Sequence, residues 1–351
     1  MNNKNLFKNN KIIIGIDTSF DDTSCAIIKN NVILSNIIYN QINEHKNFKG
    51  IVPDIASKSH LKCIYNIFKL AINKSNIKIN NIDGIAFTKG PGLISSLIIG
   101  ENFAKSISLI LNIPLFSVNH IHAHILSFFL VYKKKKKKYP KFPYICLSVS
   151  GGHTLLCIVN NFFNIKILGK TLDENLGNFF NKMSVFFGFN HYNGYKILEK
   201  YSFKGVFKYK FPIPKVKNFN FSFSGLKTYI ENFFKKKSKK YIKKNLNNIF
   251  RSLHETIYNI LIIKFKDVIN YTNIKNIAIT GGVSNNKFLI KKLKYFFKKK
   301  NINFFYLKNK KIINDNGAMI ALIGQLKYYF KKTDNFNIKS NSNLKLNNNY
   351  L

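Results

Sequence analysis

The run Asn-His-Ile-His-Ala-His-Ile-Leu-Ser, starting at Asn119, holds three of the chain's 8 histidines. His120 and His124 are four apart, a spacing that on a helix stacks both imidazoles on one face, one turn apart. Two neutral imidazoles so placed can grip one metal ion. His122 points to a different face, and a supporting role and plain exposure are equally open to it. Most pairs of this spacing belong to helices that merely pack. Two ligands do not make a site, so the rest of the chain must decide.

The elements around the histidines come from hydrophobic periodicity and turn residues. Residues 11–17 read as a strand ending in Gly-Ile-Asp, with residues 23–29 and 32–36 as further strands around a turn at Asn30-Asn31, a β-meander. Residues 60–73 have helical periodicity. Residues 82–88 read as a strand broken by Gly90-Pro91-Gly92, and residues 93–111 as a long, largely apolar helix. Strand, turn and strand recur at 144–150, Gly151-Gly152-His153-Thr154 and 155–159, which points to two related lobes. A helix at 249–271, a strand at 276–280, a basic helix at 285–299 and an apolar helix at 314–330 follow. The expected organisation is lobe I at 11–130 completed by the helix at 314–330, a Lys-rich linker at 131–141, lobe II at 142–313, and a disordered Asn/Ser/Lys-rich tail at 333–351.

Four apolar strands end at or near glycine, at Gly15, Gly90, Gly151 and Gly281. Glycines let backbone approach a ligand and aim N–H groups at an anion. None of the four lies in a Walker A or GxGxxG pattern. Four such turns in two lobes fit an α/β actin/Hsp70/sugar-kinase-like fold with a nucleotide cleft between the lobes.

The 351 residues carry 57 Lys+Arg against 15 acids, a formal charge of +42. Such a charge suits a polyanion such as RNA. Lys, Asn, Ile, Phe and Tyr, all abundant, also have A/T-rich codons, and codon bias is expected to account for most of the excess. The six lysines at 133–138 read as a solvated linker. The four cysteines are scattered in or beside apolar runs, as buried thiols in a reducing compartment would be. No uninterrupted 18-residue apolar run occurs, so neither a transmembrane helix nor a membrane partner is expected. The polar first ten residues are not expected of a secretory signal.

Eight segments, in order, resemble the TsaD-type tRNA threonylcarbamoyltransferases, once classed as glycoproteases. They are GIDTSFDDTS from Gly15, IVPDIASKSHL from Ile51, TKGPGLISSL from Thr88, VNHIHAHILS from Val118, VSGGHT from Val149, FSFSGLKT from Phe221, GGVSNN from Gly281 and NDNGAMIA from Asn314. The resemblance implies transfer of the threonylcarbamoyl group from threonylcarbamoyl-adenylate to N6 of an adenosine beside the anticodon in tRNAs reading ANN codons, releasing AMP. It implies that Asp315 joins His120 and His124 on one divalent metal, Fe(II) or alternatively Zn(II). The other role open to an Asp at a helix start is an N-cap. It places the adenylate against Val149, Ser150, Gly151, Gly152 and His153, with Asn181, Gly194 and Asn286 at nucleotide-contact positions. For Gly194 the ordinary role is a turn, and for Asn286 a helix cap. It implies tRNA, TsaB-like and TsaE-like proteins as partners, a TsaC-type supplier of the donor, and a cytoplasmic or organellar setting.

The chain departs from the family at several positions. Asn181 replaces an Asp, which lowers the expected adenylate affinity because an amide has one acceptor oxygen and no charge. Asp17 replaces Glu, and Phe20 replaces Cys. His122 stands where Glu is common, and HYNGY around Gly194 lacks the usual Pro-Gly-Gly. Asp21 and Asp22 are the candidate bases for the N6 proton, although aspartates also serve turns.

Three rivals remain at this level. A zincin protease needs Glu directly after the first histidine, and Ile121 stands there. An ATP-dependent kinase of the same fold needs a carboxylate facing a γ-phosphate. An inactive scaffold of the same fold, TsaB-like, would have no need of the His/His/Asp set.

Overall fold

The computed structural model describes residues 10–48, 50–132, 138–189 and 194–346. In chain order the elements are β1 (Ile12–Asp17), β2 (Asp22–Lys29), β3 (Val32–Asn40), α1 (Ile42–His45), α2 (Pro53–Ser75), β4 (Gly84–Gly90), α3 (Ile94–Leu111), β5 (Leu115–Asn119), α4 (His120–Leu126) and β6 (Val131–Tyr132). They continue with β7 (Tyr144–Val149), β8 (Thr154–Val159), β9 (Ile165–Lys170), α5 (Leu176–Phe186), α6 (Gly194–Ser202), α7 (Ser224–Lys235), α8 (Lys239–Thr272), β10 (Asn276–Thr280), α9 (Lys287–Lys299), β11 (Asn303–Tyr306), α10 (Lys310–Ile313) and α11 (Gly317–Tyr329). The chain divides into two compact units. The first takes residues up to Tyr139 and those from Asn309 into the C-terminal segment, and the second takes Pro140–Lys308.

In the first unit the sheet order is β5-β4-β1-β2-β3-β6. β1, β2 and β3 are antiparallel, whereas β4 and β5 run parallel to β1. β1 is buried along its whole length, as expected of a strand covered on both faces. Ile12, Ile14 and Ile16 pack with Ile64, Phe68 and Ala104 from α2 and α3. α11 lies against β1 in close backbone contact. α3 has the length and hydropathy to cross a membrane. Here it packs along one face, burying Leu97, Gly100 and Ala104 and holding a Glu101–Lys105 ion pair at 2.6 Å, while Ile98, Leu109 and Ile110 are exposed.

The second unit repeats the plan, with sheet order β11-β10-β7-β8-β9. β7, β8 and β9 form the antiparallel meander, and β10 and β11 run parallel to β7. The recurrence of strand, turn and strand is thus a repeated topology. Phe179, Phe180, Phe223, Phe234, Phe250 and Phe265 fill its core.

Several expectations change. Residues 131 and 132, assigned to a linker, form β6 and pair with β3, because the Asn31 carbonyl accepts from Val131 N at 2.9 Å. Residues 133–137 of the lysine run lie outside the described residues. The described part of the tail is not disordered. Asp334 Oδ2 accepts from Ser117 N at 2.7 Å, Ser340 N donates to Glu101 at 2.6 Å, and Asn341 N donates to the Lys89 carbonyl at 2.8 Å. Those bonds are mostly made by main chain, which a polar composition does not prevent.

Three of the four glycine turns also serve the chain itself. A Cβ on Gly15 would lie 2.1 Å from the Gly317 carbonyl oxygen, so this glycine sits inside β1 and lets α11 approach. Gly90, with φ of +148°, faces the Asn341 carbonyl in the same way. Gly281, at φ +85°, is packed on Val149, and Gly151 is the least crowded of the four, with only an ordinary contact to Asn178 Oδ1 at 3.7 Å.

Candidate metal centre

β5 is a buried strand that ends at Asn119, and the side chain of that residue starts the next helix. Asn119 Oδ1 accepts from Ile121 N at 2.9 Å and His122 N at 3.1 Å, the bonding of an N-cap. α4 is therefore set on the end of β5 with every residue buried. His120 and His124 share a face, as their spacing predicts, with ring centroids 4.6 Å apart and planes nearly perpendicular. His122 is 1 % exposed, so plain exposure is excluded for it.

Asp315 completes a triangle. His124 Nε2 is 3.0 Å from Asp315 Oδ1 and 3.1 Å from His120 Nε2, and His120 Nε2 is 3.5 Å from Asp315 Oδ1. Two ligands at about 2.1 Å from one ion, at octahedral to tetrahedral angles, stand about 3.0–3.4 Å apart. The three atoms thus fit a single divalent ion, and they form a His/His/Asp group among the described residues. Asp315 does not cap α11. Asn316 does, accepting from Met319 N at 3.1 Å, which leaves the Asp315 carboxylate to the histidines. The histidines are 1–2 % exposed at the side chain and Asp315 is 23 % exposed, so the site opens on the aspartate side.

The surroundings favour a cation. Burial disfavours an imidazolium at His120, but Asp17 and Asp315 outweigh it and hold the group up at about 10. Burial likewise opposes charge on Asp315, and His120 and His124 overcome it, keeping the carboxyl well below its ordinary range. Burial, reinforced by the charge on Asp315, pushes Asp21 up to about 6. Burial and then the charges of Asp21 and Asp315 raise Asp22, whose Oδ1 accepts from the Asn40 amide. A bound metal would displace the His120 proton and relieve the crowded carboxylates.

Four supporting residues stand outside the set of site residues read from the sequence: Asp17, His60, Thr88 and Asn119. Asp17 Oδ1 stands 3.5 Å from His120 Nδ1 and accepts from Thr88 Oγ1 at 2.7 Å. That histidine distance is at the long limit of a hydrogen bond. His60 holds the β1–β2 turn, contacting the Phe20 carbonyl at 2.9 Å and Thr23 Oγ1 at 2.6 Å. His60 and Thr88 lie inside segments that resemble the family, and Asn119 is a capping residue type directly before the pair.

Asn119→Ala should remove the cap, cost about 1 kcal/mol in stability, and weaken metal binding by roughly tenfold as α4 shifts. Calorimetric titration with Zn(II) reads this directly; wild-type affinity in a folded variant would show that the cap does not position the histidines.

The remaining candidates belong to the second unit. Ser150 Oγ accepts from Gly152 N at 3.2 Å and His153 N at 3.1 Å, so the Gly152 N–H expected to face a phosphate turns inward instead. His153 lies between two hydroxyls, Ser148 Oγ at 2.8 Å and Ser150 Oγ at 2.9 Å. Val149 ends the buried β7. α5 is docked on this turn, since Leu176 N donates to Thr154 Oγ1 at 3.0 Å and Gly177 N to the Ser150 carbonyl at 3.2 Å. Asn181, further along α5, accepts from Gly194 N at 3.0 Å, and a Cβ on Gly194 would meet the Phe180 carbonyl at 2.6 Å. Residues 191–193 of HYNGY lie outside the described residues. Asn286 is fully buried and caps α9 through Leu289 N at 3.0 Å, while its amide nitrogen meets His254 Nε2 at 3.0 Å. His254 donates from Nδ1 to the Phe250 carbonyl, and burial holds it neutral with its pKa lowered to about 4.

The chain is similar to known proteins over most of its length. The TsaD family, described as tRNA N6-adenosine threonylcarbamoyltransferase, matches residues 32–322. A protein of that name from Christiangramia forsetii is 41 % identical over 80 % of this chain and 83 % of its own length. Its counterpart from Fervidobacterium nodosum is 38 % identical over 93 % and 96 %. Among solved structures, that of T.kodakarensis HypF superposes with a TM-score of 0.61 at 16 % identity, over 91 % of this chain and 48 % of that one. The Acidaminococcus fermentans (R)-2-hydroxyglutaryl-CoA dehydratase component A gives 0.52 at 13 %, over 91 % and 99 %. These two likenesses place the fold in the actin/Hsp70/sugar-kinase class. The chain belongs to the tRNA N6-adenosine threonylcarbamoyltransferases, transferases that act on tRNA.

Proposed function

We propose that the donor is threonylcarbamoyl-adenylate, that the acceptor is N6 of the adenosine beside the anticodon in tRNAs reading ANN codons, and that AMP leaves. The observation that carries the reading is the His120/His124/Asp315 triangle, at ion-binding distances in a chain of this family. Fe(II) is the favoured occupant because two histidines and one carboxylate form its facial set, with Zn(II) as the alternative. Such an ion would supply Lewis acidity to the carbonyl under attack.

The protein's own groups do the rest. The N6 amine is a weak nucleophile and must lose a proton as its bond to carbon forms. Asp21, raised to about 6, is the base we favour over Asp22, whose carboxylate is engaged by Asn40. The Gly151 N–H would face the phosphate of the donor, with Val149, Ser150, Gly152 and His153 shaping the turn around it, and Asn181, Gly194 and Asn286 would shape the nucleotide side. TsaB-like and TsaE-like partners and a cytoplasmic setting complete the proposal.

Total tRNA lacking the modification, incubated with synthetic threonylcarbamoyl-adenylate and this protein, tests it by nucleoside mass spectrometry. Threonylcarbamoyladenosine should accumulate. Asp21→Asn should lower kcat by about 100-fold or more at unchanged metal affinity. No modified nucleoside, even with TsaB-like and TsaE-like proteins added, would defeat the reading.

A further inference from the structure

Residues 235–244, at the corner between α7 and α8, contain seven lysines and no acid. Beside them lies a cavity of about 330 Å³ lined by Tyr229, Asn232, Phe233, Lys236 and Lys237. Tyr229, Asn232, Phe233 and Lys236 follow a three-and-four spacing, which puts them on one stripe of α7. Glu231, the nearest acid in sequence, falls off that stripe.

Phe233 is half-buried and packs on the core of the second unit, whereas Tyr229 beside it is exposed. Tyr229 and Phe233 are near parallel, with centroids 6.3 Å apart and planes 15° off, and Tyr229 is 43 % exposed. Lys237 Nζ sits 5.6 Å from the Phe233 centroid and 5.7 Å from that of Tyr241. Tyr241 is fixed in turn through its hydroxyl, 3.0 Å from Tyr209 Oη. At this corner Lys237 N donates to the Phe234 carbonyl at 3.0 Å just past the end of α7, and Ser238 Oγ accepts from Tyr241 N at 3.2 Å at the start of α8.

An exposed ring flanked by lysines at a capped helix corner is the equipment of an unpaired-nucleotide site, where a base stacks and lysines meet the adjoining phosphates. We propose that this corner is a contact surface for an unpaired nucleotide of the tRNA substrate, with Tyr229 as the stacking platform and Lys236 and Lys237 on the backbone. The proposal rests on the reading that tRNA is the substrate. Codon bias can supply lysines and aromatics along a chain, but it does not order them into a lined cavity. The concentration of seven lysines with no acid gives the occupant its charge, and the stacked rings give it a flat face.

The test is fluorescence-anisotropy binding of full-length unmodified tRNA transcript to the whole protein at several salt concentrations. Tyr229→Ala should weaken binding by about tenfold, leaving the salt slope unchanged, and Tyr229→Phe should restore it. Lys236→Ala with Lys237→Ala should lower the slope of log affinity against log salt by about 0.7 for each phosphate no longer neutralised. Zn(II) affinity should stay at the wild-type value in all three. Wild-type tRNA affinity and slope in the alanine variants would overturn the proposal. So would loss of binding to anionic phosphatidylserine vesicles in place of tRNA, which would mark the corner as a membrane contact. Nucleoside mass spectrometry of the wild type separates the two readings, since modified tRNA with unaltered binding by the variants leaves the substrate assignment standing and removes only this surface.

Discussion

Asp315→Asn is expected to abolish stoichiometric metal binding and with it group transfer. The amide keeps the size of the side chain but loses the charge and one acceptor, while His120 and His124 remain 3.1 Å apart as a two-ligand fragment. Removing a group that merely supports a metal ligand costs 10–100-fold in affinity, so removing a ligand itself should cost more than about 100-fold. Co(II) absorption and Zn(II) calorimetry report this without any turnover. The same substitution has a second effect in metal-free protein. His120 is raised from its ordinary 6.5 to about 10, so it stabilises the fold fully below 6.5 and loses that contribution as pH rises through 10. Asp315 is lowered from 3.8, so its contribution is present above 3.8 and is lost as pH falls through its depressed value. Metal-free wild type should therefore exceed the variant in stability between about pH 4 and 10, by on the order of 1–3 kcal/mol. Urea unfolding at pH 7 in chelator checks this. A variant that binds Co(II) as tightly as wild type would remove Asp315 from the site.

How much of this site could be read from sequence depends on separation. The histidine pair is local, and the four-residue spacing settled its geometry before any fold was known. Asp315 lies 191 residues from His124, and no period or spacing reaches that far; only the resemblance supplied it. Asp17, His60 and Thr88 act through contacts that require the sheet to have formed. Among the elements, strands such as Asn276–Thr280 were legible as apolar runs between glycines. β5 is five residues long and merges into the histidine run, and β11 is an edge strand with no fully buried residue, so neither stood out. α8 begins at Lys239, ten residues before the helix read from periodicity, because Ser238 caps it and solvated lysines mask its first turns. α2 begins at Pro53 rather than at His60, since proline suits the first helical position, where its missing N–H costs nothing.

Gly15→Ala is expected to be strongly damaging to the first unit. The new Cβ would lie 2.1 Å from the Gly317 carbonyl oxygen and 2.3 Å from Ala321 N, and both are backbone atoms that no rotamer change can move. Gly317 reciprocates, since a Cβ there would stand 2.3 Å from the Gly15 carbonyl oxygen. β1 and α11 touch main chain to main chain, and relief requires a shift of the whole helix by roughly 1 Å or more. Overpacking of a well-filled core costs about 1–3 kcal/mol and more where backbone must move, so a loss of at least about 3 kcal/mol is expected. The functional consequence follows from the chain path. Asp315 sits two residues before Gly317, while His120 and His124 hang from β5 and α4, so moving α11 pulls one ligand away from the other two. Ligand geometry tolerates about 0.5 Å of displacement, so Zn(II) affinity should fall even in the population that remains folded. Gly225→Ala is the control: its Cβ meets nothing within 4 Å, and it should stay within about 1 kcal/mol of wild type with full metal affinity. Thermal unfolding and Zn(II) titration of the pair decide the matter, and a Gly15→Ala protein as stable and as metal-competent as the control would mean that the β1–α11 contact does not set the position of Asp315.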